Sequence, residues 1–183
     1  MQCSKKLMQV KWLAALAIVA VFAGCNRGTT ETAPDRTDAS ESNADRAEFV
    51  LADEPDGAND VIAARESSSD GDDVVVVGRI GGSENPWVEG RAAFSIVDRS
   101  LQACSDIPGD ACSMPWDYCC ETDKLPKATA LVKFVDADGQ LVKSDARELL
   151  GLKELQTVVV RGKSHRDESG NLTVLANGVF VRE

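Results

Sequence analysis

Histidine is nearly missing from this chain of 183 residues: His165 is the single one, and Tyr118 is the single tyrosine. With no second imidazole, a histidine-rich metal centre has no ligand set. No Gly-x-Ser-x-Gly stretch occurs, so the nucleophile turn of a serine hydrolase is missing as well. Aromatic residues make up 5% of the chain and its formal net charge is −10. A binder of single-stranded nucleic acid needs stacking platforms along a basic groove, and neither is here. No C-x-x-C segment occurs, which removes the dithiol of a thioredoxin-like oxidoreductase. Finally, no apolar run approaches the roughly 20 residues that cross a bilayer as a helix.

What is present begins with Lys5, Lys6 and Lys11 and an apolar run from Trp12 to Ala23. A basic start before a short apolar stretch is the pattern of an export signal. The run stops at Phe22-Ala23-Gly24-Cys25. This stretch resembles the lipobox of bacterial lipoproteins, with Phe22 in place of the usual Leu. The resemblance implies a signal peptide over 1–24 and lipidation of Cys25. It also implies a protein of the cell envelope, anchored to the outer or inner membrane and facing the periplasm. Two or more acyl chains give stable anchoring where one does not. Cys3 leaves with the signal.

Residues 26–73 are rich in Asp, Glu, Ser, Thr, Ala and Asn, and carry fourteen acidic against four basic side chains. So polar a segment buries too little apolar surface to offset its ordering entropy, and it is expected to be a disordered acidic linker over 25–73. Two weak helical patches, 44–53 and 60–66, fall within it. Residues 74–183 are nearly balanced, with thirteen basic and sixteen acidic side chains. They suffice for one compact domain.

The apolar pattern of that domain is one of strands. Runs at 74–80, 92–98 and 130–135 are β-branched or alternate, and Asp138-Gly139 closes the third. A short helix follows, with Ser144 as the expected N-cap and Gly151 at its end. Two more strands run at 157–163 and from Leu172 to Val181, separated by the turn residues 167–171.

The fold class is therefore mainly β: five strands with one short helix between strands 3 and 4. That order, with Val-Val-Gly-Arg-Ile followed by Phe-Ser-Ile-Val-Asp, resembles the OB-fold, a five-stranded Greek-key barrel. Residues 99–127 are then an insertion between strands 2 and 3. From PWDYCC through DARELLGLKELQTVVVRGK to NLTVLANGVFV the sequence also resembles a group of uncharacterised lipoproteins of planctomycete bacteria. That likeness implies a location and a recurrent cysteine segment, and no activity.

Smaller motifs have plain readings. Asp136-x-Asp138-Gly139 ends like a calcium loop, but Phe134 would occupy the first ligand position, so it reads as a turn. His165 lies near the hairpin turn and reads as solvent-exposed.

The chemistry is in the insertion, which holds Cys104, Cys112, Cys119 and Cys120. An even set of cysteines in an exported protein reads as disulfides. A Cys119–Cys120 bridge would strain the peptide between them. This leaves 104–119 with 112–120, or 104–120 with 112–119, each bridge contributing about 2–3 kcal/mol. Such staples imply no cofactor. Four thiolates also suit zinc, and Met114 beside Cys112 suits soft copper(I). Asp106, Asp110 and Asp117 lie nearby, and no cationic residue occurs from 104 to 123 to activate a thiol. The expectation is a non-enzymatic binding or scaffold domain. Its partners are the membrane, through Cys25, and an envelope protein or small ligand rather than nucleic acid. A cysteine-ligated metal binder is the alternative, and a thiol–disulfide redox protein a further one. Trp87, Trp116 and Tyr118, placed in loops, form the expected binding surface.

Overall fold

The computed structural model describes residues 46–183. The expected signal peptide, Cys25 and the linker as far as residue 45 lie outside the described residues. Among the described residues there are six strands: β1 Asn59–Asp60, β2 Asp73–Ile80, β3 Ala93–Val97, β4 Thr129–Phe134, β5 Thr157–Arg166 and β6 Leu172–Arg182. Among the same described residues they are accompanied by a helical turn at 46–49 and by the short α-helices α1 Val61–Ser67, α2 Leu125–Ala128 and α3 Ala146–Leu150.

Hydrogen-bonded neighbours run β2–β3–β4–β6–β5, and β5 pairs again with β2, so five strands close on themselves. Every pairing within the ring is antiparallel except β4 with β6. This is an OB-fold-like barrel, with the insertion between its second and third strands and α3 between its third and fourth.

Two glycines make closure possible. Strand β2 pairs with β5 from Asp73 to Arg79 and with β3 at Arg79 and Ile80. At the changeover, a Cβ on Gly78 would lie 2.9 Å from the Val97 carbonyl oxygen. In β5 the register against β6 slips between Arg161 and Gly162. A Cβ on Gly162 would come within 2.2 Å of the Leu175 carbonyl oxygen. A bulge with glycine at the close approach sharpens the bend that a small barrel needs.

Alternation fills the interior. Ala130, Val132 and Phe134 point inward from β4, and Leu172, Val174 and Ala176 from β6. Phe94 and Phe134 stack with centroids 6.2 Å apart, and Phe49 meets Phe134 edge-on at 5.4 Å. Helix α3 adds Ala146, Leu149 and Leu150 to the same core. Its N-cap is Asp145 rather than Ser144, because the Arg147 N–H donates to Asp145 Oδ1 at 2.9 Å.

The Asp145 cap carries a pH signature. The Arg147 guanidinium donates to both carboxyl oxygens and holds the Asp145 carboxyl below the usual carboxylate range. Its contribution to stability is present above the unfolded value, about 3.9, and is lost as pH falls through the lower folded value. Asp145→Ala is expected to cost about 1 kcal/mol at neutral pH. Asp145→Asn keeps a capping oxygen, so it should cost less while flattening the acid limb. Urea midpoints measured between about pH 6 and pH 2 check both outcomes.

The linker boundary needs correction. Residues 46–73, expected to be disordered, are folded onto the barrel. Phe49, Val61 and Ala64 are buried in the main core. The Leu51 N–H donates to the Val179 carbonyl at 2.8 Å, and β1 lies parallel to β2 at Val76 and Val77. Arg182 binds Glu54 and Arg99 binds Asp60 through paired hydrogen bonds. A few apolar anchors suffice where a finished barrel edge supplies the partner surface.

Candidate metal centre

The insertion leaves β3 at Val97 and builds a small core of its own. Val97, Leu101, Ala103, Tyr118 and Ala128 pack together, with Ile62, Leu125 and Leu155 against them. Two 3-10 turns stand on this cluster, Cys104–Asp106 and Pro115–Asp117.

Each turn is fastened to the end of β2. The Arg79 guanidinium pairs with the Asp106 carboxylate, which lowers that carboxyl's pKa. On the other side the Gly82 N–H donates to the Trp116 carbonyl at 2.8 Å, and Trp116 Nε1 donates to the Glu84 carbonyl at 3.1 Å. A Cβ on Gly81 would lie 2.5 Å from the Trp116 carbonyl oxygen. The second turn therefore seats on Gly81-Gly82 because no side chain stands there. Tyr118 then takes a left-handed conformation, φ 57°, with its ring fully buried, and the chain doubles back.

This reversal brings the sulfurs together. Cys104 Sγ and Cys119 Sγ are 3.3 Å apart, and Cys119 Sγ and Cys120 Sγ 4.0 Å apart. All four cysteines of the insertion are free thiols. A disulfide needs about 2.05 Å, so no pair stands at bonding distance. Sulfurs at two corners of a zinc tetrahedron lie about 3.8 Å apart, given Zn–S near 2.3 Å. One ligand atom each from Cys104, Cys112, Asp117 and Cys119 lie within 4.8 Å of one another. A second set, Cys104, Asp110 and Cys120, meets the same limit. Cys104 is buried, Cys112 and Asp117 are half-buried, and Cys119, Cys120 and Asp110 are exposed.

Local hydrogen bonds hold both carboxylates in place. Asp117 Oδ1 accepts from the Cys119 N–H at 2.8 Å, and Asp110 Oδ1 from the Cys112 N–H at 2.6 Å. Each aspartate thus closes a turn onto the cysteine two residues on, keeping further lone pairs for a cation. Turn closure alone would place the two aspartates, but it does not require the sulfurs to converge as they do. Without a cation the two exposed thiols, Cys119 and Cys120, hold their protons more tightly than usual. The Cys119 thiol is pushed far up by its contact with Cys104, then by desolvation and its contact with Cys120, and by the charge of Asp117. For Cys120 the Cys119 contact pulls down, but desolvation and the fields of Cys104 and Asp110 raise it overall. A reactive redox thiol needs the opposite.

The expected aromatic surface is largely interior. Tyr118 is the centre of the insertion's core, and its hydroxyl has no hydrogen-bond partner among the described residues. Trp87 is buried against Phe94 at 5.5 Å, donates from Nε1 to Glu154 at 2.6 Å, and has the Arg147 guanidinium over its ring. Both lie in loops, but a loop folded over a barrel end is packed like core. Trp116 alone keeps partial exposure. His165 is exposed and pairs with Asp70, and Asp136 closes its turn by accepting from the Asp138 and Gln140 N–H groups. Sequence reasoning named Asp110 and Asp117 without assigning them ligand places. The repeated Asp-x-Cys, at 110–112 and 117–119, was the available signal.

No family model and no curated protein matches the chain. Among solved structures, it is similar to "a putative aspartyl-tRNA synthetase from Leishmania major Friedlin", at 9% identity and a TM-score of 0.42. That likeness covers 80% of this chain and 26% of the other, so the chain spans about a quarter of that structure's length.

Proposed function

We propose that this protein is a non-enzymatic, lipid-anchored metal-binding protein of the bacterial cell envelope, with a thiolate centre on its barrel. The observation that carries the metal reading is the convergence of Cys104, Cys112, Asp117 and Cys119 within 4.8 Å. Three sulfurs and one carboxylate favour a borderline d10 ion, zinc(II) ahead of copper(I), because the carboxylate is a hard ligand. A bound divalent cation also offsets the local negative charge, which no lysine or arginine within 104–123 does. Anchoring rests on the lipobox-like residues 22–25, and the membrane is the partner it implies. The barrel domain's slight excess of acidic side chains speaks against nucleic acid.

One distance supports a second reading. Cys104 and Cys119 stand 3.3 Å apart, so modest side-chain rotation would join them as a structural staple, one of the pairings open from sequence.

Intact mass of the full chain in mild detergent separates the two, measured natively and after denaturation, with and without reductant. The expected result is a native zinc adduct, lost on denaturation together with four freely alkylated thiols among 104–120. A protein lighter by about two hydrogens per bridge, alkylated there only after reduction, would establish the staple instead.

A further inference from the structure

The two ligand sets of the insertion share one atom. Cys104 Sγ belongs with Cys112, Asp117 and Cys119 on one side, and with Asp110 and Cys120 on the other. We infer that the centre is binuclear, holding two d10 cations bridged by the Cys104 thiolate, an inference that rests on the metal reading above.

The first set fills a four-coordinate ion. The second supplies two sulfurs and one carboxylate, and so leaves its ion an open position for water or an incoming ligand. A thiolate sulfur bonded to one soft or borderline cation keeps lone pairs for another, which makes a shared sulfur chemically ordinary. The burial gradient fits. Cys104 lies beneath both sets, while Asp110 and Cys120, which belong to the second set alone, are exposed. The first ion, with one buried, two half-buried and one exposed ligand, lies deeper than the second, whose two unshared ligands both face solvent.

Charge points the same way. The four thiolates and two carboxylates of the combined sets would carry six negative charges when ionised. One divalent ion leaves four uncompensated, and two leave two. Arg79, the barrel cation that reaches the insertion, is engaged by Asp106, which belongs to neither set. The simpler alternative is one ion in four sulfurs, with both aspartates serving only their turns.

The test is a zinc(II) and cobalt(II) titration of the reduced, metal-free full chain in detergent, read by metal-to-protein ratio, native mass and electron paramagnetic resonance. Two equivalents are expected, falling to one in Cys120→Ser. Cys120 is exposed, so this change leaves the fold in place; Asp110→Asn, which preserves the turn-closing oxygen, is the second variant and should weaken the same equivalent. With cobalt(II), the resonance from the first equivalent should diminish as the second binds, through exchange coupling across the shared sulfur. Two equivalents without that attenuation would mean separate sites and overturn the bridge. One equivalent in the unaltered chain, weakened by Cys120→Ser, would establish the four-sulfur site and overturn the inference alone. No equivalent at all would overturn the metal reading with it.

Discussion

Cys104→Ser is expected to abolish metal retention, while Cys120→Ser reduces it. Cys104 is the buried member of the cluster and the one residue common to both ligand sets. A serine hydroxyl there is a poor ligand for a d10 ion, and the neighbouring Asp117 carboxylate is too weak a base to ionise it. Loss of a supporting contact around a metal costs 10–100-fold in affinity, and loss of this ligand should exceed about 100-fold. The barrel core lies in a separate cluster that does not include Cys104, so circular dichroism of the variant should match the parent. Competition against a chromophoric chelator measures the affinity. A Cys104→Ser protein that still holds zinc as tightly as the parent would sink the metal centre as drawn.

The largest effect on stability is expected at Phe134. Its ring is fully buried and stands between two others, stacked on Phe94 and meeting Phe49 edge-on. It therefore joins the barrel interior to the N-terminal segment that wraps it. Phe134→Ala removes the ring's transfer free energy and leaves a cavity that barrel strands cannot close over, a cost of about 3–5 kcal/mol. That is a large share of the 5–15 kcal/mol that stabilises a typical domain. Urea denaturation followed by circular dichroism gives the number. A loss below about 1 kcal/mol would mean that the three-ring cluster is not the structural centre.

The barrel was legible because its signals are local and repeated. Each strand announces itself by alternation or a β-branched run, Asp138-Gly139 closes a turn, and Gly151 ends the helix in a left-handed conformation, φ 69°. Their order alone constrained the topology to an OB-like ring. The N-terminal segment was not legible by the same means. Its anchors are Phe49, Val61 and Ala64, spread through an acidic stretch whose average composition hides them. What orders them is the exposed edge of β2 and the end of β6, a tertiary partner that no local window contains.

The candidate site divides in the same way. The four cysteines were visible from the start, because sulfur so concentrated is chemically conspicuous. Their mutual arrangement was not, because it depends on where Gly81-Gly82 lets the second 3-10 turn settle and on Tyr118 reversing the chain. Tyr118 and Trp87 are buried for a related reason. A loop position is no guarantee of exposure, because a long insertion on a small barrel needs large side chains to make its own interior.

The fastening of both 3-10 turns to Arg79, Gly81 and Gly82 has a thermodynamic consequence. These residues end the strand that closes the ring, paired to β5 along most of its length and to β3 at its tip. The turns that carry Cys104 and Asp117 are therefore expected to hold as long as the end of β2 holds, and to part when the ring opens. Occupancy and global unfolding are then linked, and a ligand at a hundred times its dissociation constant adds about 2.7 kcal/mol to the whole barrel rather than to one loop. In the language of native-state exchange, the two fastened turns are expected to share the protection of the sheet, although no residue from 99 to 127 lies in a strand.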